Sequence, residues 1–296
     1  MRRLIVNADD LGMTTGINRG IIEGCEKGIV TSTTLMATAS AFDDAVARAR
    51  DLDQRQPRVS IGCHVVLLDG EPALPPERLS SLLERPANNG VGELRISLNG
   101  FARSALTGKL RPDEIEAEAT AQITRIQNAG IKPSHFDCHK HAHIFPAVLK
   151  PLLRAAREMG ISAVRNPFGL LFPLPFSRMI RNPKLWRRVA ELGMLRNFAT
   201  TFQQEVNRHG LRTPDGSVGV AITGTLDLNS FLDLVEALPE GTWEFVCHPG
   251  YNDADLDRVR TRLRQSREQE LKVLTSAEAR AALKRRSIEL ISYHDL

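Results

Sequence analysis

Four short stretches hold the residues best suited to chemistry. Asn7-Ala8-Asp9-Asp10-Leu11-Gly12 sets two adjacent carboxylates at the exit of the first apolar run. One can hold a cation while the other takes a proton from a bound water; the same pair would also serve to cap the following helix. Gly62-Cys63-His64 places one histidine inside a strand-like stretch, where a lone imidazole is more often structural. Asp137-Cys138-His139-Lys140-His141-Ala142-His143 gathers three histidines and an aspartate, a density that suits divalent metal ligation. Its alternative is a solvated His-rich turn. Cys247-His248-Pro249-Gly250-Tyr251 carries a histidine out of a strand into a Pro-Gly turn, which is also ordinary turn chemistry.

Taken together the four are stronger than any one alone. In parallel α/β architectures, reactive groups collect where strands end and loops begin. Period-two alternation puts Asp137 and His139 on one side of their strand, near its end. Two histidines and one aspartate would leave coordination positions open, as hydrolytic sites do, whereas structural zinc sites are closed and usually contain cysteine. Cys63, Cys138 and Cys247 each precede a candidate histidine, so alternation turns the thiols away from the site as small core filler. Arg165, just after the strand-like Ala163-Val164, either orients Asp9, binds substrate or lies on the surface.

The elements that must position these groups alternate between strand and helix. Strand-like runs cover Leu4–Ala8, Val30–Ala37, Val59–Leu67, His135–His139, Trp243–His248 and Ile288–Tyr293. Helical spacing covers Ile17–Cys25, Phe42–Leu52, Ala147–Met159 and a charged stretch from Asp257 to Leu274. A further helix opens at Pro112, presents Ile115, Ala119, Ile123 and Ile126 on one face, and stops near Gly130. Asp69–Gly108 reads as a polar excursion. This pattern predicts an α/β fold, an irregular TIM-like (β/α) barrel with long insertions, as a single domain over residues 1–296.

Composition narrows the classes. The chain has 296 residues, 42% of them hydrophobic, and 39 basic against 35 acidic residues. A formal charge of +4 is too mild to suggest nucleic acid as a partner. Leu4-Ile5-Val6 is too short for a secretory signal core, and four cysteines in this length read as reduced thiols. A cytoplasmic location is expected.

The joint pattern Asn-Ala-Asp-Asp-x-Gly, Gly-x-His, Asp-x-His-x-His-x-His and His-Pro-Gly-Tyr resembles the YdjC-type carbohydrate deacetylases, from Leu4 to the closing Ile291-Ser292-Tyr293-His294-Asp295-Leu296. The resemblance is greatest to the hopanoid-biosynthesis-associated, HpnK-like branch. It implies hydrolysis of an N-acetyl group on an amino sugar. It also implies one divalent metal ion, zinc or magnesium, held by Asp10, His64 and His139, with Asp9 as general base and His248 as general acid. Asp137, His143, Arg165 and Tyr251 would then support the ligands or touch substrate. Branch membership implies a glycolipid substrate, N-acetylglucosaminyl hopanoid, met at the inner face of the membrane. A homodimer is left open.

Residues 166–202 mix Phe168, Phe172 and Phe176 with Arg181, Lys184, Trp186, Arg187 and Arg188 without clean periodicity. Such a lobe near the active-site mouth would suit peripheral membrane contact; the alternative is core beneath an insertion. The alternatives are a deacetylase of chito-oligosaccharides and another metal-dependent barrel hydrolase, acting on a phosphoester or cyclic amide. A glycolipid-binding protein with a structural metal is disfavoured, because the ligand set leaves open positions and gives Asp9 no role.

Overall fold

The computed structural model describes residues 1–84, 92–169, 193 and 195–296. Strand β1 (Arg2–Leu11) is followed by α1 (Thr15–Lys27), β2 (Ser32–Leu35), α2 (Phe42–Arg55) and β3 (Ser60–Val65). After the excursion come α3 (Leu98–Leu106), α4 (Pro112–Asn128), β4 (His135–Cys138), α5 (Pro146–Glu158) and β5 (Ala163–Val164). Then follow α6 (Ala199–His209), β6 (Gly216–Val218), α7 (Leu228–Ala237), β7 (Gly241–Cys247), α8 (Gln265–Thr275), α9 (Ala277–Arg285) and β8 (Ile288–Ile291). The expected helix from Asp257 to Leu274 is shorter, beginning at Gln265, and β6 and α7 had no clear signature in the sequence.

Among the described residues the pairings between these strands are all parallel, in the order β5-β4-β3-β2-β1-β7-β6. The sheet curls until its outer edges meet: Val164 N donates to Arg212 O at 2.9 Å and Ser217 N to Phe168 O at 3.1 Å. The Asn166 side chain donates to the carbonyls of Pro214 and Asp215 across the same seam. The expected α/β fold is present as a curled parallel sheet, and among the described residues no continuous ladder joins β5 to β6 as in a full TIM-like barrel. β8 is not an eighth stave. It pairs with Arg2–Ile5 of β1, while β2 takes the later half of that strand.

The two faces of this sheet differ in kind. Leu4, Val6, Ala8, Cys63, Phe136, Cys138, Val164, Phe245 and Cys247 point outward into one apolar core with the helices. The concave side is polar: Asn7, Ser32, Thr34, Ser60, His64, His135, Asp137 and Glu244 are all buried. Those groups satisfy one another. Ser60 Oγ donates to Ser32 Oγ at 2.9 Å, and His135 Nε2 lies 3.4 Å from Ser32 Oγ and 3.2 Å from Asn7 Oδ1. The cysteines are buried where alternation placed them, and burial pushes the Cys63 and Cys138 thiols up.

The early part of the excursion after β3, residues 69–84, is tied to helix α4. Helix α4 buries Ile115, Ala119, Ile123 and Ile126 as expected. It also turns Glu114, Glu118 and Gln122 inward at one-turn spacing. Gln122 exchanges hydrogen bonds with both backbone groups of Val66, Glu118 accepts from Ala73 N and Leu74 N, and Glu114 from Ser81 N.

Of the irregular zone, Phe168 and Phe202 are buried against each other, 5.7 Å between ring centroids. The Phe172, Phe176, Arg181, Lys184, Trp186, Arg187 and Arg188 part of the membrane-contact expectation lies outside the described residues. No helix among the described residues is long and apolar enough to cross a membrane.

Gly62 shows why the Gly-x-His stretch needs its glycine. A Cβ there would sit 2.6 Å from the His135 ring. Gly62→Ala should therefore displace His135 and cost about 1–3 kcal/mol through overpacking. Urea denaturation checks this, and a stability equal to wild type would contradict it.

Candidate active site

On a regular strand, Asp9 and Asp10 would face opposite sides. The register of β1 against β2 shifts between Ala8 and Leu11, and Asp10 takes a left-handed conformation with φ of 71°. Aspartate tolerates this region better than most residues, and the irregularity aims both carboxylates into the concave side. His64 reaches the same place from β3, Asp137 from β4, and His139 from just after β4. His248 follows β7, with its backbone N–H on Glu270 Oε2 at 2.6 Å.

Asp10 Oδ1, His64 Nε2 and His139 Nδ1 converge. Both nitrogens lie 3.6 Å from the carboxylate oxygen and 3.3 Å from each other. Donors held about 2.1 Å from a tetrahedral zinc ion are roughly 3.4 Å apart. The three atoms therefore fit a single divalent cation, and two nitrogens with one oxygen suit zinc-type ions better than magnesium. Asp9, His64 and Asp137 also lie close enough for a cation. There, however, both Asp9 oxygens and Asp137 are already engaged by a guanidinium, so the first trio is the better cradle.

That guanidinium belongs to Arg165, which is wholly buried just after β5. Nη1 donates to Asp9 Oδ2 at 2.8 Å and Nη2 to Asp9 Oδ1 at 2.6 Å. Nη1 also pairs with Asp137 Oδ2, and Nε donates to Glu244 Oε1 at 2.9 Å. Asp137 Oδ1 in turn holds His64 Nδ1 at 2.7 Å, which fixes the ring with Nε2 toward the cation position. Arg267 on α8 performs the matching task for Asp10, donating from Nη2 to Oδ2 at 2.7 Å and leaving Oδ1 for the cation.

The electrostatics follow from these contacts. Burial would push the Asp9 carboxyl up, but Arg165, helped by His64 and His248, holds it well below the usual carboxylate range. Asp10 is likewise lowered against burial, by Arg267 and then His139. Burial works to discharge His64, yet Asp137, Asp9 and Asp10 outweigh it and hold its pKa up to about 9. Without a cation, a proton on His64 supplies the missing positive charge. His143 is the opposite case, kept neutral by burial and then by His141 and Arg165.

The structure thus brings together Asp9, Asp10, His64, Asp137, His139, Arg165 and His248, with His248 Nε2 3.8 Å from Asp9 Oδ2. His143 is buried with its ring 6.5 Å from that of Phe202 and 6.3 Å from that of His141, and it is not one of the cation trio. Tyr251 is held elsewhere: its hydroxyl donates to Glu23 at 2.5 Å and Arg19 lies over its ring. Sequence reasoning missed Arg267, Glu244 and Glu270. Arg267 and Glu270 sit on a helix of ordinary charged composition, and only burial distinguishes them. Glu244 interrupts the strand-like run Trp243–Cys247, and that interruption was the available signal.

The fold and this arrangement define an α/β protein with a hydrolase-like cation cradle at the carboxyl ends of parallel strands. The sequence profile of the family described as YdjC-like protein matches residues 3–285, and the chain belongs to that family. A carbohydrate deacetylase from Brevibacillus brevis is 30% identical over 295 residues, covering 99% of both chains. Among solved structures, a protein from Enterococcus faecalis provisionally named for cellobiose-phosphate cleavage is similar at a TM-score of 0.76 and 27% identity, covering 99% of this chain and 98% of that one. A lactam utilization protein from Thermus thermophilus shares the fold, at a TM-score of 0.51 and 16% identity, over 98% of this chain and 99% of that one.

Two outcomes follow from the site. A cation must displace the His64 proton, because only a neutral imidazole ligates. Zinc affinity should therefore rise by about tenfold per pH unit on approaching pH 9 from below and then level off; competition calorimetry that found no pH dependence would contradict this. Arg165→Met leaves buried carboxylates uncompensated and should cost about 3–5 kcal/mol. Chemical denaturation reads that loss, and a change below about 1 kcal/mol would refute the pairing's importance.

Proposed function

We propose that this chain is a metal-dependent carbohydrate deacetylase that hydrolyses the N-acetyl group of an amino sugar. The observation that carries the reading is the convergence of Asp10, His64 and His139 on one point beside Asp9, a carboxylate whose two oxygens are fixed by Arg165. The carbohydrate deacetylase from Brevibacillus brevis, similar over nearly the whole length, supports the substrate class.

A divalent cation held by Asp10, His64 and His139 would supply Lewis acidity to the acetamide carbonyl and to the attacking water. Asp9 accepts the proton of that water. Because Arg165 so favours its ionised form, Asp9 is available as a base throughout the neutral range but releases the proton readily. His248, whose Nε2 lies on the same side of the site, delivers a proton to the departing amine. The Glu270 carboxylate anchors the His248 backbone, so the imidazole leaves β7 at a fixed angle. Each acid–base group contributes typically about 10²–10⁴-fold.

The narrower reading is an N-acetylglucosaminyl hopanoid converted to the glucosaminyl form. What supports it is the motif resemblance of Arg3-Leu4-Ile5-Val6-Asn7, His139-Lys140-His141 and the Leu274-Thr275-Ser276 to Leu296 ending. Mass spectrometry after incubation with N-acetylglucosaminyl lipids and, separately, with diacetylchitobiose tests it. Loss of one acetyl group from the lipid in preference to the disaccharide is the expected result, and the reverse preference would overturn the lipid assignment.

Asp9→Asn should retain the metal while lowering turnover by about 10²–10⁴-fold, whereas Asp10→Asn should weaken metal binding itself. Metal analysis beside turnover measurement checks both. If Asp9→Asn loses the ion and Asp10→Asn keeps it, the two roles are reversed.

A further inference from the structure

The segment after β8 enters the concave side of the sheet rather than lying on the surface. Tyr293 is wholly buried, and with Ile5, Ala163 and Ile291 it forms a small apolar cluster separate from the main core. Its ring stacks on His135 with centroids 3.6 Å apart and planes 6° from parallel. A capping box holds the turn: the Ser292 side chain accepts from His294 N, and Asp295 accepts from Ser292 N at 2.8 Å. Packing alone would require only a phenyl ring at this position.

The hydroxyl makes a contact that a phenyl ring cannot. Tyr293 Oη donates to Glu244 Oε2 at 2.7 Å, and Ser217 Oγ donates to the same oxygen at 3.3 Å. The other oxygen, Glu244 Oε1, receives Arg165 Nε at 2.9 Å and lies 2.8 Å from Arg165 Nη2. The far side of that guanidinium grips both oxygens of Asp9. A second route runs through Tyr293 N to Ser60 Oγ, then Ser32, His135 and Asn7, whose Nδ2 donates to Asp9 Oδ1 at 2.9 Å. Both routes end on the same carboxylate.

We infer that Tyr293 is a positioning residue for the reaction, setting the Asp9 carboxylate through Glu244 and Arg165 from the opposite end of the sheet. This inference rests on Asp9 being the base of the proposed deacetylase. A guanidinium can rotate about its long side chain, and Glu244 is the acceptor that fixes its Nε edge. The Tyr293 hydroxyl fixes Glu244. Loss of that donor leaves a carboxylate oxygen in a buried site with one weaker partner, so Glu244 and then the fork on Asp9 can shift. Displacements below an ångström in such a group are enough to slow a reaction whose geometry is fixed in advance.

Tyr293→Phe and Tyr293→Leu separate the hydroxyl from the ring. In the zinc-loaded protein acting on diacetylchitobiose or an N-acetylglucosaminyl lipid, Tyr293→Phe should lower kcat about tenfold, with KM and bound zinc unchanged. Tyr293→Leu, which also loses the His135 stack, should in addition melt at a lower temperature. A Tyr293→Phe kcat within twofold of wild type would overturn the inference, because the ring alone would then suffice. A wild-type protein inactive on both substrates would count against the proposed function instead. The positioning contact is then decided without catalysis, from the melting temperatures of Tyr293→Phe, Asp9→Asn and the double variant. Non-additive shifts would uphold the connection between the two residues, and additive shifts would overturn it.

Discussion

A single buried guanidinium organises the interior of this protein. Arg165 has no access to water and faces Asp9, Asp137 and Glu244 at once. An isolated charge in such a place would be prohibitively costly, and so would three carboxylates without a cation. Each makes the other tolerable, and the planar fork dictates where the carboxylates must lie. Asp137 then orients His64, Asp9 stays ionised, and Glu244 carries the arrangement down to Tyr293. Arg267 repeats the principle on a smaller scale by occupying one oxygen of Asp10.

Such a centre needs a scaffold that is apolar on one side and polar on the other. The curled sheet provides it through simple alternation. Its convex face packs Val6, Phe136 and Phe245 beneath the helices, while its concave face holds hydroxyls, imidazoles and carboxylates that satisfy one another. The helices therefore stabilise the fold from outside, and the interior is left for chemistry. Local irregularities sit where alternation alone would fail. The left-handed Asp10 turns a second adjacent carboxylate inward, and left-handed Lys140 and His141 shape the turn directly after His139.

Much of this was readable from residue order. The clustering of Asp9, Asp10, His64, His139 and His248 was legible because parallel strands deliver their ends to one side, and each of these residues stands at or near the end of an apolar run. The burial of Cys63, Cys138 and Cys247 followed from the same period of two. Arg165 was legible only as a choice between roles, since nothing local distinguishes a buried arginine from a surface one. Arg267 and Glu270 were hidden because their helix looks solvated by composition. Tyr251 entered as the last residue of the His-Pro-Gly-Tyr motif, yet the Pro-Gly turn carries its hydroxyl to Glu23. A barrel-like curl was expected from the strand–helix alternation, but the irregular seam was not legible, because β5 and β6 are short and meet through side-chain and irregular backbone contacts rather than a ladder.

In the proposed deacetylation, Asp10, His64 and His139 would hold one divalent cation beside Asp9, and that cation would supply Lewis acidity to the acetamide. Acetate release from an N-acetylated amino sugar, followed as chelator-stripped protein is titrated with zinc, tests it most directly. The expected result is no release from the stripped protein and a linear recovery that ends at one equivalent of zinc per chain. Full acetate release by stripped, folded protein, or recovery that continues to two equivalents, would contradict it.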